Sequence, residues 1–317
     1  MPKRLLIYPV FIPMLGCPHR CIYCDQRKIS GAQSLDLQQQ LANVAQFVAN
    51  HPEEEKEVAF YGGSFTALPE DYWLGLLSEF SRVIDPITSF RVSTHPLYIS
   101  DDILLACHRH GIRCIELGVQ DFHDTVLSTS QRGYTGAQAL AAAKLVQKHG
   151  FKLGVQLMPG LPGSSEETIK ENHQVLRMLK PDYLRIYPLV VIRGTALAEL
   201  YEKGLYVALE LKDAVMISAD YAELATAEGI TIIKHGLPSN LEQSDVLAGA
   251  YHPSYGEFVL AELTIRKIIR DLQNGKEINL DKKQSLLLMG HGAKYRDLLQ
   301  KRLKNCRIEN DVDSLLR

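Results

Sequence analysis

The sequence is short of the features that mark membrane, secreted or nucleic-acid-coating proteins. It has six cysteines and one tryptophan in 317 residues, no internal repeat and no low-complexity tract. No apolar run approaches the ~20 residues needed to span a bilayer, which excludes a helical membrane protein. The formal net charge of -2 excludes wholesale electrostatic coating of nucleic acid, so any basic face must be local. Six cysteines, three of them crowded between positions 17 and 24, are not the spread staples of a small disulfide-built domain. The expected compartment is therefore the reducing cytoplasm. The start of the chain, with Lys3, Arg4 and then LLIYPVFIPML before Leu15-Gly16-Cys17, imitates a lipoprotein signal, but Pro9 and Pro13 interrupt the apolar segment.

What is present is a rhythm. At 46% hydrophobic and 23% charged, the chain is ample for a globular core. Apolar, β-branched runs occur at LLIYPVFI (5 to 12), VAFYG (58 to 62), FRVST (90 to 94), CIELGV (114 to 119), KLGVQLM (152 to 158) and YLRIYPLVV (183 to 191). Helical patterns fall between them, with N-caps expected at Ser100, Thr135 and Ser164 or Ser165, and helix ends at Gly111 and Gly150. Six such alternations predict a parallel sheet clothed in helices, its strands covered on both faces. A full eight-unit barrel needs about 250 residues, so an incomplete barrel or an open doubly wound sheet is expected, with chemistry at the carboxyl ends of the strands.

Those strand ends carry the unusual residues. MLGCPHRCIYCDQ follows the first run, Tyr61-Gly62-Gly63-Ser64-Phe65 the second, Thr94-His95-Pro96 the third, Gly118-Val119-Gln120 the fourth, Met158-Pro159-Gly160 the fifth and Tyr187-Pro188 the sixth. Three thiols at CxxxCxxC spacing on one loop converge naturally on a single metal centre, and thiolates select zinc or iron-sulfur clusters. Zinc would use His19 as a fourth ligand, yet no second cysteine knuckle exists, since Cys107, Cys114 and Cys306 are scattered. A 4Fe-4S cluster takes four thiolates, so three leave one iron open for a ligand.

CPHRCIYC resembles the CxxxCxΦC signature of the radical S-adenosylmethionine (radical SAM) superfamily, with Tyr23 as the aromatic residue. GGSFTALPEDYW, GVQDFHDTVL, QRGYT, LMPGLPGSSEETI and YPLVVIRGTALAELYEKGLY narrow the likeness to the radical SAM half of the Elongator catalytic subunit. Oxygen-independent coproporphyrinogen III oxidase is a more distant likeness. The resemblance covers roughly residues 5 to 235. It implies an α/β fold, a partial (β/α)6 TIM-like barrel at 1–235, with a helical C-terminal extension at 236–317. It also implies a cytoplasmic enzyme with a 4Fe-4S cluster and S-adenosyl-L-methionine as cofactors. An electron from a donor such as flavodoxin or ferredoxin would cleave the cofactor to a 5'-deoxyadenosyl radical that abstracts hydrogen from a substrate, RNA or tRNA being the leading class.

By the same resemblance, Cys17, Cys21 and Cys24 would be the cluster ligands, and Gly62 and Gly63 would admit backbone carbonyls to the cofactor's amino group. Arg132 would pair with its carboxylate. Gln120 and Thr94 would contact ribose or carboxylate, and the backbone near Met158 would line the adenine. The cysteine spacing differs from that of Elongator, whose acetyltransferase domain has no counterpart in these residues. The oxidase's additional cysteine is replaced by Asp25 and Gln26, which makes a haem-pathway role the weaker alternative. A zinc-binding, non-catalytic RNA-interaction protein on the same barrel is the competing reading.

Beyond residue 235, HGLPSNLEQSDVLAGAYHPSYGEF reads as a loop returning to the barrel mouth, which makes His252, Tyr255 and Glu257 substrate-facing candidates. Helical patterns follow, and their basic residues, Arg266, Arg270, Lys301 and Arg302 among them, either face tRNA or are ordinary solvated side chains.

Overall fold

A computed structural model describes residues 5–12, 17, 21–30, 34–237, 241–306, 308 and 312–315. Seven parallel strands form an open half-barrel: β1 (Leu6–Phe11), β2 (Lys56–Tyr61), β3 (Thr88–Thr94), β4 (Ile112–Gln120), β5 (Lys152–Leu157), β6 (Tyr183–Ile186) and, at the far edge, a strand at Thr231–His235. Two short strands, β7 (Val190–Ile192) and β9 (Val246–Gly249), pair antiparallel outside it, so the strand at Thr231–His235 is β8 in chain order. The expected alternation of strand and helix is present, with one strand more than the six read from the sequence.

The helices start where local chemistry directs. Ser100 accepts from Ile103 N, while Thr135 and Ser165 each complete a reciprocal capping box with Gln138 and Thr168. Ser165 rather than Ser164 is therefore the cap. Gly111 and Gly150 follow their helices in left-handed backbone, as expected.

Each strand is two-sided. Val58 and Phe60, Phe90 and Val92, Ile115 and Leu117, Leu153 and Val155, and Leu184 and Ile186 enter one continuous core with the outer helices. The alternate positions are polar: Glu57 and Tyr61, Arg91 and Ser93, Glu116, Gln156 and Arg185. The expectation of a sheet covered by apolar packing on both faces is thus corrected. A half-barrel is covered by helices only on its convex side, and its concave side is a polar lumen.

The C-terminal residues also depart from expectation. Part of the segment read as a loop is β9, which reaches back to β7. Tyr255 opens the helix Tyr255–Gln273, which packs on the helix Leu211–Glu228 around a second core that includes Val259, Ile265 and Leu299. Arg266 pairs with Asp220, Glu223 and Glu262, Arg270 with Glu223, and Arg302 with Glu262. Arg266 and Arg270 thus tie the extension to the helix Leu211–Glu228 and Arg302 is paired within the extension, so these three arginines are not a free basic face. Among the described residues, no helix is long and apolar enough to cross a membrane.

Candidate functional site

The lumen is organised by one carboxylate. Glu116, wholly buried, accepts from Arg91 Nη1 at 2.9 Å, Arg185 Nε at 2.6 Å, Arg185 Nη2 at 3.0 Å, Tyr61 Oη at 2.9 Å and Gln156 Nε2 at 3.0 Å. Burial pushes its pKa up, but the Arg185 and Arg91 guanidiniums and their hydrogen bonds overcome this and hold it at about 2. Arg91 also pairs with Glu57 at 2.5 Å. The Tyr61 phenol, desolvated and beside Glu116, is pushed well above its ordinary range. Gly154 is required by this packing, because a Cβ there would lie 2.6 Å from Glu116 Cγ. Sequence reading missed these residues. The signal was present: four of the six apolar runs hold a charged or amide side chain, Arg91, Glu116, Gln156 and Arg185, at a position facing the same side of the sheet.

At the rim, the cysteine loop follows β1. Cys17 is exposed, with Sγ 3.6 Å from Ser64 Oγ beyond β2. Cys21 is half-buried and accepts a hydrogen bond from Arg132 Nη1 at 2.9 Å. Cys24 is half-buried, and its N–H donates to Cys21 O at 3.1 Å, forming a tight turn. The apolar side of this turn, Ile22 and Tyr23, packs with Val126, Leu161, Leu189 and Leu197. His19 lies outside the described residues. Among the described residues, no three His, Cys, Asp or Glu side chains stand gathered as a ready-made metal site. Cys107 and Cys114 are buried, with thiol pKa values raised by desolvation, and Cys306 is exposed far along the chain, so all three are separate from the loop.

Arg132 is buried at 6% exposure and is no surface side chain. Its guanidinium also donates to Gly118 O and to Tyr134 Oη, and its carbonyl contacts His95 Nε2 at 3.2 Å. Around it lie polar atoms that are buried without a hydrogen-bond partner among the described residues: Tyr23 Oη, Ser130 Oγ and Gln120 Oε1. Native structures leave few such atoms, and each asks for an explanation. Gln120 adds strain, at φ 68°, a conformation uncommon for a residue with a side chain. Gly62 has φ 99°, and a Cβ there would stand 2.9 Å from Ile12 O, so glycine lets β2 end against the strand that leads into the cysteine loop. Gly63 lines a small crevice with Tyr61 and Ser93.

Other expected positions fall differently. Thr94 Oγ1 is committed to Thr66 Oγ1 at 2.6 Å, which joins β3 to the turn after β2. Met158 is held by its backbone, donating from N to Gln120 O at 2.8 Å. Tyr255 is 2% exposed, with its hydroxyl 2.8 Å from Ser218 Oγ, so it is a packing residue between two helices and not a substrate-facing one. His252 stacks on Phe258, with ring centroids 4.4 Å apart, while Glu257 is exposed. A cavity of about 820 Å³ does not open over the cysteines. It lies behind the Gly160–Ser165 rim loop, against the helices Glu166–Leu179 and Leu211–Glu228.

The donor set fits an iron-sulfur cluster with an organic partner. Three thiols are present on one loop, and the orphaned polar atoms and the guanidinium beside Cys21 match a polar ligand more than a bare four-ligand ion.

Comparison with known proteins agrees. The family model for the radical SAM superfamily matches residues 11–176, and that for a radical SAM C-terminal domain matches residues 181–265. An uncharacterized protein of Methanocaldococcus jannaschii is 30% identical over 70% of this chain and 72% of its own. The tRNA uridine(34) acetyltransferase of the same organism is 25% identical over 63% of this chain and 45% of its own. Human Elongator complex protein 3 is 27% identical over 67% of this chain and 42% of its own. The chain thus spans under half the length of those last two relatives. In fold, it is similar to archaeal Methanocaldococcus infernus Elp3 with an N-terminal deletion, at a TM-score of 0.62 and 18% identity, over 87% of this chain and 65% of the other.

Proposed function

For a chain that belongs to the radical SAM superfamily, an enzyme family that uses a 4Fe-4S cluster and S-adenosylmethionine, we propose that Cys17, Cys21 and Cys24 hold the cluster and that a tRNA nucleoside is the substrate. When bound, these cofactors supply reductive cleavage of a sulfonium to a 5'-deoxyadenosyl radical that abstracts hydrogen. The residues of this chain hold and shield. Arg132 fixes Cys21 from the barrel side, and its planar fork suits a carboxylate at the rim. Gln120 and Tyr23 present unpaired polar atoms to the same space. Ile22, Leu161 and Leu189 keep water from the loop's inner side. Beneath them, Tyr61, Gln156 and Arg185 spend their donors on Glu116 and on one another and form a rigid polar floor to the lumen.

The observation that carries this reading is the meeting, at one rim of the half-barrel, of the three-cysteine loop with a buried guanidinium and orphaned polar atoms. The tRNA assignment is supported by similarity to a tRNA uridine(34) acetyltransferase aligned over under half of its length, so acetyl transfer is not carried over. Nucleoside profiling of bulk tRNA from a strain lacking this protein tests the substrate. Loss of one modified nucleoside supports the proposal, and an unchanged profile alongside an altered metabolite pool sinks the tRNA assignment.

A further inference from the structure

The motif YPLVVIRGTALAEL supplies Tyr187 to the lumen, but from Val190 onward it gives no side chain to the polar lumen. The structure sets that stretch against the cysteine loop, which is held on both sides of Cys24. Upstream, Leu197 N–H donates to Ile22 O at 2.8 Å, between Cys21 and Cys24. Downstream, Asp25 accepts from Lys28 N at 3.3 Å and starts the short helix Gln26–Ser30. The Lys28 ammonium then bridges both strands of the small sheet. It donates to Arg193 O at 2.9 Å, just past β7, and pairs with Asp245 Oδ1 at 2.8 Å, just before β9. Arg193 N–H donates to Asp245 O at 2.8 Å, fixing the two acceptors relative to each other. Ile29 closes the apolar side on Val190, Ile192 and Leu241.

We propose that Lys28 is a positioning residue for the cluster, through which the segment beyond the last barrel strand, at Asp245, governs how well the cysteine loop captures and keeps iron. The proposal rests on reading Cys17, Cys21 and Cys24 as the ligands. Among the described residues the three thiols do not form a ready-made ligand set, and a loop already pinned on both sides of its third cysteine loses less freedom on taking a ligand. Lys28 and Asp245 are 30% and 24% exposed, which makes the pair stronger than a solvated surface bridge, and the bond to the Arg193 carbonyl adds a charged hydrogen bond. A purely structural role, stitching the small sheet, predicts lower thermal stability with unchanged cluster retention.

The full chain is reconstituted anaerobically with iron and sulfide, and iron release to a chelator is timed for the parent, Lys28→Met, Lys28→Arg, and the exchange pair Lys28→Asp with Asp245→Lys. Hydrogen exchange is followed in the metal-free proteins. Lys28→Met is expected to release iron about fivefold faster, the loss of one half-buried pair and one charged hydrogen bond. Lys28→Arg stays near the parent, and the exchange pair recovers part of the loss. In metal-free Lys28→Met, amides between 21 and 29 exchange faster while β2 to β6 are unchanged. Parental iron release in Lys28→Met, or faster exchange spread evenly over the chain, overturns the proposal. A parent that takes up zinc and no iron defeats the cofactor reading instead, and the exchange measurement then still decides whether Lys28 pins the loop.

Discussion

Two polar regions stand one above the other at the strand ends of the half-barrel. Around Glu116, two arginines, a tyrosine and a glutamine spend five hydrogen bonds on one carboxylate. Around Cys21, one arginine reaches one sulfur, while Tyr23, Ser130 and Gln120 each hold a buried polar atom with no partner among the described residues. The lower cluster satisfies its carboxylate fully and leaves one buried atom, Arg91 Nη2, without a partner among the described residues, so it contributes to the fold without a ligand. The upper one is incomplete in a way that costs stability, as sites kept for a ligand do.

The largest way to break this contrast is at the sulfur. Cys21→Ala should take 5'-deoxyadenosine formation by reconstituted enzyme to background, as measured by chromatography, while leaving the fold intact. Next, Glu116→Gln should destabilise the chain by about 3–5 kcal/mol in denaturant unfolding, because it leaves the buried Arg185 guanidinium without its carboxylate, Arg91 keeping only Glu57. Its pH dependence follows from the sign of the shift. A carboxylate held at about 2, against an unfolded value near 4.5, gives stability that is complete above ~4.5 and lost as pH falls toward ~2. Unfolding curves at neutral pH and near pH 3 should show that loss in the parent and a smaller one in the glutamine variant. Arg132→Ala should weaken S-adenosylmethionine binding by about 1.5–3 kcal/mol in calorimetry, the worth of a charged hydrogen bond, and unchanged affinity would return that residue to a purely structural role. The smallest effect belongs to Cys306→Ser, an exposed thiol outside the loop, which should leave iron content unchanged.

Legibility followed the range of the interactions. Five of the six apolar runs became strands near their expected positions, and the caps at Ser100 and Thr135 were readable because their partners lie three residues away. YLRIYPLVV looked like one strand but breaks at Tyr187-Pro188-Leu189, since its second half pairs with residues more than fifty positions later. TIIKH and VLAG are short apolar stretches whose strand character comes from their neighbours and not from their composition. The lumen was readable in principle from Arg91, Glu116, Gln156 and Arg185, whose alternation was submerged in otherwise apolar runs. The cysteine motif was legible as a candidate metal-binding loop from its spacing. The orphaned atoms beside it, and the hold of Asp245 on Lys28 from 217 residues away, exist only in three dimensions.

The central claim is that the three loop cysteines carry an iron-sulfur cluster with an open position. Metal and sulfide analysis of anaerobically purified protein, with the parent beside Cys17→Ala, Cys21→Ala and Cys24→Ala, tests it most directly. The account predicts a brown parent with about four iron and four sulfide per chain, and loss of both in each variant. A colourless parent carrying one zinc, or a cluster that survives removal of these cysteines, would contradict it.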